Sequence, residues 1–122
     1  MKSILIVEDS VTTRSFIRAI IEDVGDLNIV EASSGFDALK ALPSQPFDLI
    51  ITDINMPDIN GLELINFVKS NPQYKDIPLM IITTERSEED RRKGMALGAF
   101  AYLTKPFKSE ELQDIVRRAL VL

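Results

Sequence analysis

Five short runs of apolar residues, at positions 4–7, 29–32, 49–52, 79–83 and 101–103, constrain this chain most strongly. Most are continuous rather than alternating, the pattern of strands buried on both faces. Between them lie stretches of helical period. Phe16, Ile17, Ile20, Ile21 and Val24 fall on one helical face, with Ser10 or Thr12 as the cap. Residues 35–42 form a short helix stopped by Pro43. Residues 61–69 bring Leu64, Ile65 and Val68 together. Ser87-Glu88-Glu89-Asp90 reads as a capped acidic first turn, and Gly98 as a helix stop. Ser109 is expected to cap a last helix whose Leu112, Ile115, Val116 and Ala119 face inward.

The alternation of strand and helix implies an α/β fold, a doubly wound parallel sheet with five helices over its two faces. A chain of 122 residues suits one domain spanning 1–122. With 45% hydrophobic and 27% charged residues, it can bury a core without covalent staples. It has no Cys and no His. Disulfides, thiolate sites and imidazole bases are thereby excluded, and any phosphohistidine step must occur on another protein. A net charge of −5 argues against a nucleic-acid-binding surface. The apolar run at the start is too short for a signal peptide or membrane span, so a soluble, cytoplasmic protein without membrane insertion is expected.

About five strands suggest the flavodoxin-like order 2-1-3-4-5, whose ligands bind at the strands' carboxyl ends, between the first and third strands. Glu8-Asp9 ends the first strand there, Asp53 the third and Thr83-Thr84 the fourth, while the fifth runs into Lys105-Pro106. Taken singly, each residue has an ordinary role: a helix start, a turn cap, a strand hydroxyl, a solvated lysine. Tyr102 alone reads as a half-buried strand aromatic. Their joint placement points to chemistry. Three crowded carboxylates call for a cation, and hard oxygens without His or Cys favour Mg²⁺. Asp53 then suits attack on phosphorus, giving an acyl phosphate. Lys105 and the metal would offset phosphoryl charge, and Thr83 would bond one of its oxygens.

These residues carry a resemblance over essentially the whole chain. Ile4-Leu5-Ile6-Val7-Glu8-Asp9-Ser10, Asp53-Ile54-Asn55-Met56-Pro57 with Gly61, Ile82-Thr83-Thr84 and Tyr102-Leu103-Thr104-Lys105-Pro106-Phe107 resemble the response-regulator receiver domain, particularly its single-domain chemotaxis CheY type. That type exemplifies the 2-1-3-4-5 order, so the expected order leans partly on the resemblance. The resemblance implies a two-component phosphorelay switch rather than a turnover enzyme, with self-catalysed phosphotransfer and dephosphorylation only. It makes Asp53 the phosphoacceptor and assigns Mg²⁺, or Mn²⁺, to Asp9, Asp53, the Asn55 backbone carbonyl and, through water, Glu8. Lys105 would pair with the phosphoryl group, aimed by a cis peptide before Pro106. Thr83 and Tyr102 would be the switch pair. The implied donor is a sensor histidine kinase, and the output face is the fourth helix, fifth strand and fifth helix, which binds a downstream protein.

Two positions depart from the family pattern. Glu8 stands where Asp is commoner, and its extra methylene shifts that carboxylate. Thr84 stands where a smaller residue is frequent and narrows access to the phosphoryl site. Asn55 and Glu85 match the chemotaxis type, which implies a short-lived phosphoryl group. The output face begins acidic, with Glu85, Glu88, Glu89 and Asp90. With the sequence ending at Leu122, output is expected through protein binding, or the chain acts as a relay or sink. A phosphohydrolase of the haloacid-dehalogenase type would want Asp at position 55. A flavin or nucleotide module would want an anion-binding loop where Glu8-Asp9 stands. A degenerate receiver that only binds protein is a third alternative.

Overall fold

A computed structural model describes residues 1–84 and 87–122. Five strands, β1 (Lys2–Val7), β2 (Leu27–Ala32), β3 (Leu49–Thr52), β4 (Leu79–Thr83) and β5 (Ala101–Thr104), form one parallel sheet in the order β2-β1-β3-β4-β5. The helices are α1 (Val11–Glu22), α2 (Gly35–Ala41), α3 (Gly61–Ser70), α4 (Glu88–Ala96) and α5 (Ser109–Leu120). The fold class, sheet order and helix number are those expected. Three strands run further than the apolar runs: Lys2 and Ser3 extend β1, Leu27 and Asn28 extend β2, and Thr104 extends β5. Lys2, Ser3, Asn28 and Thr104 are polar and are held by the ladder without a hydrophobic signal, and Asn28 separates apolar Leu27 from its run.

Side-chain alternation explains the continuous apolar pattern. Ile4, Ile6, Leu49, Ile51, Met80, Ile82 and Leu103 point to one face and pack with residues of α1 and α5. Leu5, Val7, Ile50, Leu79, Ile81 and Tyr102 point to the other, with Leu64, Ile65 and Val68 of α3. Each fully buried aliphatic side chain contributes about 1.5–3 kcal/mol, so the two layers define the register as well as the stability.

Local chemistry sets the helix ends. Ser10, not Thr12, caps α1, accepting from the Thr13 amide at 3.2 Å. Ser34 and Ser87 cap α2 and α4, and Asn60 forms a capping box with Glu63 at α3. Pro43 lies in a 3₁₀ turn, Leu42–Ser44, that follows α2. Gly98 ends the α4 segment with φ of +109°, a backbone open chiefly to glycine.

The last helix corrects one expectation. Ser109 is its first helical residue and Lys108 its cap position, where the Lys108 amide donates to Glu111 Oε1 at 2.8 Å. The first helix corrects another. Phe16 is exposed and Val24 lies beyond the end of α1. Ile17, Ile20 and Ile21 fill the core there, and Val24, just past the helix, packs against them partly buried; the Phe16 ring instead lies 6.1 Å from that of Phe107.

The loop after β3 is tied to α2 by Asp58. Its carboxylate accepts from the amides of Gly35 at 3.0 Å, Phe36 at 2.9 Å and Ile59 at 2.7 Å. The Phe36 bond leads in holding this carboxyl down to about 2. A depressed folded value stabilises the fold above the unfolded carboxylate value of about 3.9, and that contribution is lost as pH falls towards the folded value. Asp58→Asn should therefore melt below wild type at neutral pH, with the gap closing as pH approaches 2. Thermal unfolding followed by circular dichroism across that range checks it; a gap that stays constant contradicts it.

Candidate functional site at the carboxyl edge of the sheet

Strands β1 and β3 lie side by side, with Val7 opposite Thr52 and the Asp53 amide donating to the Val7 carbonyl at 3.2 Å. The next residues along each strand, Glu8 and Asp53, therefore emerge together. Both are buried, Glu8 at 2% exposure and Asp53 at 8%. Lys105, just beyond β5, reaches across to both: its Nζ is 3.0 Å from Glu8 Oε1 and 3.5 Å from Asp53 Oδ2. The peptide between Lys105 and Pro106 is cis, as expected.

The two oxygens of Asp53 are not equivalent. Oδ1 accepts from the Ile54 amide at 2.6 Å and the Asn55 amide at 3.3 Å. Oδ2 faces the Lys105 ammonium. Beneath them, the Thr52 hydroxyl donates to the Asp53 carbonyl at 2.9 Å. Gly61 closes the loop from the other side: its amide donates to the Ile54 carbonyl at 2.9 Å, and a Cβ there would overlap the Asp53 carbonyl oxygen.

The Glu8 carboxyl lies above its ordinary value. Burial pushes its carboxyl up; the Ser10 amide and the Lys105 ammonium oppose that, and neighbouring Asp9 adds to it. Asp9 is exposed beside them. The sequence reading expected three crowded carboxylates. Lys105 bridges two of them, Glu8 and Asp53, and the Asp9 side chain acts on Glu8 from the exposed side; among the described residues no cluster of three or more Asp, Glu, His or Cys side chains converges on a metal position. A buried carboxylate pair takes a cation from within the chain where one can reach it, and the lysine stem is long enough.

This donor set still fits a hard divalent ion. Mg²⁺ uses one or two carboxylates, keeps several waters and does not require an all-protein cage. Asp53 and Glu8 are buried oxygen donors, and exposed Asp9 and Asn55 flank them on the solvent side.

Thr83 ends β4 fully buried, and its carbonyl accepts from the Lys105 amide at 2.8 Å. Thr84 beside it is exposed. Tyr102 is buried in the layer beneath α3 and α4, and the Arg91 guanidinium lies 5.8 Å from its ring centroid. Glu88 and Glu89 are exposed at the start of α4, and Asp90 is partly so. Glu85 lies outside the described residues. Sequence reasoning missed Arg14 and Glu31. Arg14 of α1 donates to the Glu8 carbonyl at 2.8 Å and pairs with Glu31 of β2 at 2.8 Å. Only the spacing of Arg14 and Arg18, four apart on one helix, hinted at a shared partner.

The sequence matches the response regulator receiver domain over residues 4–117, and the chain belongs to that family, in its CheY type. The family is one of signalling switches; its members bind Mg²⁺ or Mn²⁺ and interact with histidine kinases and downstream targets. The chain is 33% identical to the chemotaxis protein CheY of Pseudomonas aeruginosa over 115 residues, covering 94% of this chain and 93% of that protein. Its fold is similar to that of CheY4 of Vibrio cholerae, with a TM-score of 0.89 and 37% identity over 98% of this chain and 99% of the other. The Mn²⁺-bound form of response regulator Rcp1 is similar at a TM-score of 0.83 and 29% identity, covering 97% and 91%. Among the described residues no helix is long and apolar enough to cross a membrane.

Proposed function

We propose that this protein is a phosphoryl-accepting switch in which Asp53 takes a phosphoryl group from a histidine kinase of a chemotaxis-type pathway. One observation carries the reading: the Lys105 ammonium spans Glu8 and Asp53 at the carboxyl edge of the sheet, while two backbone amides hold the other Asp53 oxygen. Asp53 Oδ2 is the attacking oxygen. It forms the new bond to phosphorus as the bond from phosphorus to the donor nitrogen breaks, and that nitrogen keeps the electron pair and is protonated. Lys105 then bears on the phosphoryl oxygens as a fixed charge, and the amides of Ile54 and Asn55 keep the carboxyl from rotating. A bound Mg²⁺, or Mn²⁺, held by Asp9, Asp53 and the Asn55 carbonyl, with Glu8 acting through water, would supply charge neutralisation on those oxygens.

Thr83 and Tyr102 are read as the switch. The strand-end hydroxyl of Thr83 is drawn to the phosphoryl group, and Tyr102, under α4 and beside Arg91, repacks with it. The phosphorylated form selects one packing of the face formed by α4, β5 and α5, and a downstream protein binds that packing. The names of the Pseudomonas and Vibrio relatives support the chemotaxis setting. Residues 1–122 act here as one cytoplasmic receiver domain.

The test is intact mass after treatment with phosphoramidate, with and without Mg²⁺. A metal-dependent gain of one phosphoryl group that decays on standing is expected. The absence of any gain, together with no spectroscopic response to beryllofluoride, would return the chain to a module that only binds protein.

A further inference from the structure

We propose that Arg14 is a positioning residue that fixes the acidic end of β1 for metal binding. This inference rests on the metal site described above. The Arg14 side chain is only 16% exposed, and its guanidinium joins two strands. Nη1 donates to the Glu8 carbonyl at 2.8 Å, and Nε donates to Glu31 Oε1 at 2.8 Å. Glu31 is anchored in turn by Arg18, whose Nη1 reaches Oε2 at 2.7 Å. Burial alone would raise the Glu31 carboxyl, but the hydrogen bonds and charges of Arg14 and Arg18 outweigh it and hold it below its ordinary value.

The Glu8 carbonyl belongs to the peptide that joins Glu8 to Asp9. The Glu8 side chain is already held by the Ser10 amide at 3.1 Å and by Lys105, and its amide by the Ala32 carbonyl at 3.0 Å. Asp9 is exposed, and apart from its interaction with the Glu8 side chain its carboxylate is placed by the backbone that carries it. Arg14 fixes that backbone. The rigid guanidinium fork, oriented by Glu31, suits this clamp; an ammonium presents no such fork.

A purely electrostatic role for Arg14 makes the opposite forecast. A cation beside the acids repels a metal ion, so its loss would tighten binding. Arg14→Lys separates the two, because it keeps the charge and removes the fork. The experiment is Mn²⁺ titration of the full chain, following the electron paramagnetic resonance signal of the free ion. Thermal unfolding in chelator reports whether each variant folds. Wild type should bind, while Arg14→Lys and Glu31→Gln should bind about tenfold more weakly. Binding by folded Arg14→Lys that equals or exceeds wild type would overturn the clamp and leave the metal site standing. If that variant fails to fold, unchanged binding by Glu31→Gln would overturn it. Failure of the wild type itself to bind Mn²⁺ would overturn the metal site and the clamp together.

Discussion

Asp53→Asn is expected to abolish the phosphoramidate-dependent mass gain, lowering the rate by at least about a thousandfold, while the protein melts close to wild type. The two halves of this expectation have different origins. An amide oxygen is a poor nucleophile and cannot form a stable acyl phosphate, so the chemistry is lost whatever the geometry. The fold survives because the Asn side-chain oxygen can still accept from the amides of Ile54 and Asn55, which now hold Asp53 Oδ1. Lys105 keeps its partner in Glu8, 3.0 Å away, so no charge is stranded. Intact mass and thermal unfolding on the same preparation check both halves. A mass gain equal to that of wild type would mean that another residue accepts the group.

Gly61→Ala has the largest expected effect on the fold. The new methyl group would overlap the Asp53 carbonyl oxygen and lie 2.9 Å from both the Asp53 carbonyl carbon and the Ile54 Cα. All three are backbone atoms, and no flexible side chain can yield in their place. The loop must move, or α3 must shift from its start at Gly61. Overpacking of this kind typically costs about 1–3 kcal/mol, and a clash with backbone belongs at the upper end. A fall in melting temperature of roughly 6–12 °C follows for a domain of this size. Moving the Asp53 carbonyl also displaces its carboxylate from Lys105, so phosphorylation should slow in whatever fraction remains folded. Melting within about 2 °C of wild type, a shift well under 1 kcal/mol, would show that the loop relaxes freely.

The contrast between these residues explains what the sequence could disclose. Ile4 to Val7 and Leu79 to Ile82 are apolar on both faces of a covered sheet, and that pattern is visible without coordinates. The strand order follows from the same alternation joined to a family resemblance. Asp53, Glu8 and Lys105 were legible because each stands next to a strand end, where a parallel sheet gathers its ligands. Their pairing was not, because a lysine stem can point to solvent or inward, and only the third dimension brings Lys105 to two carboxylates 97 and 52 positions away. Phe16 was misread for the opposite reason. It satisfies helical periodicity at the edge of the apolar stripe, yet the core there is already closed by Ile17, Ile20 and Ile21. Arg14 and Asp58 carry no motif at all. Their partners, Glu31 for one and the amides of Gly35 and Phe36 for the other, are set by packing between elements distant in sequence.

The most direct test of the account is to locate the phosphoryl group. Wild type treated with phosphoramidate and Mg²⁺, then reduced with borohydride, converts an aspartyl phosphate to homoserine, which peptide mass mapping can place. The account predicts homoserine at position 53 alone, dependent on both donor and metal. Homoserine at Asp9 or elsewhere, or an unmodified Asp53 in protein whose intact mass had risen, would contradict it.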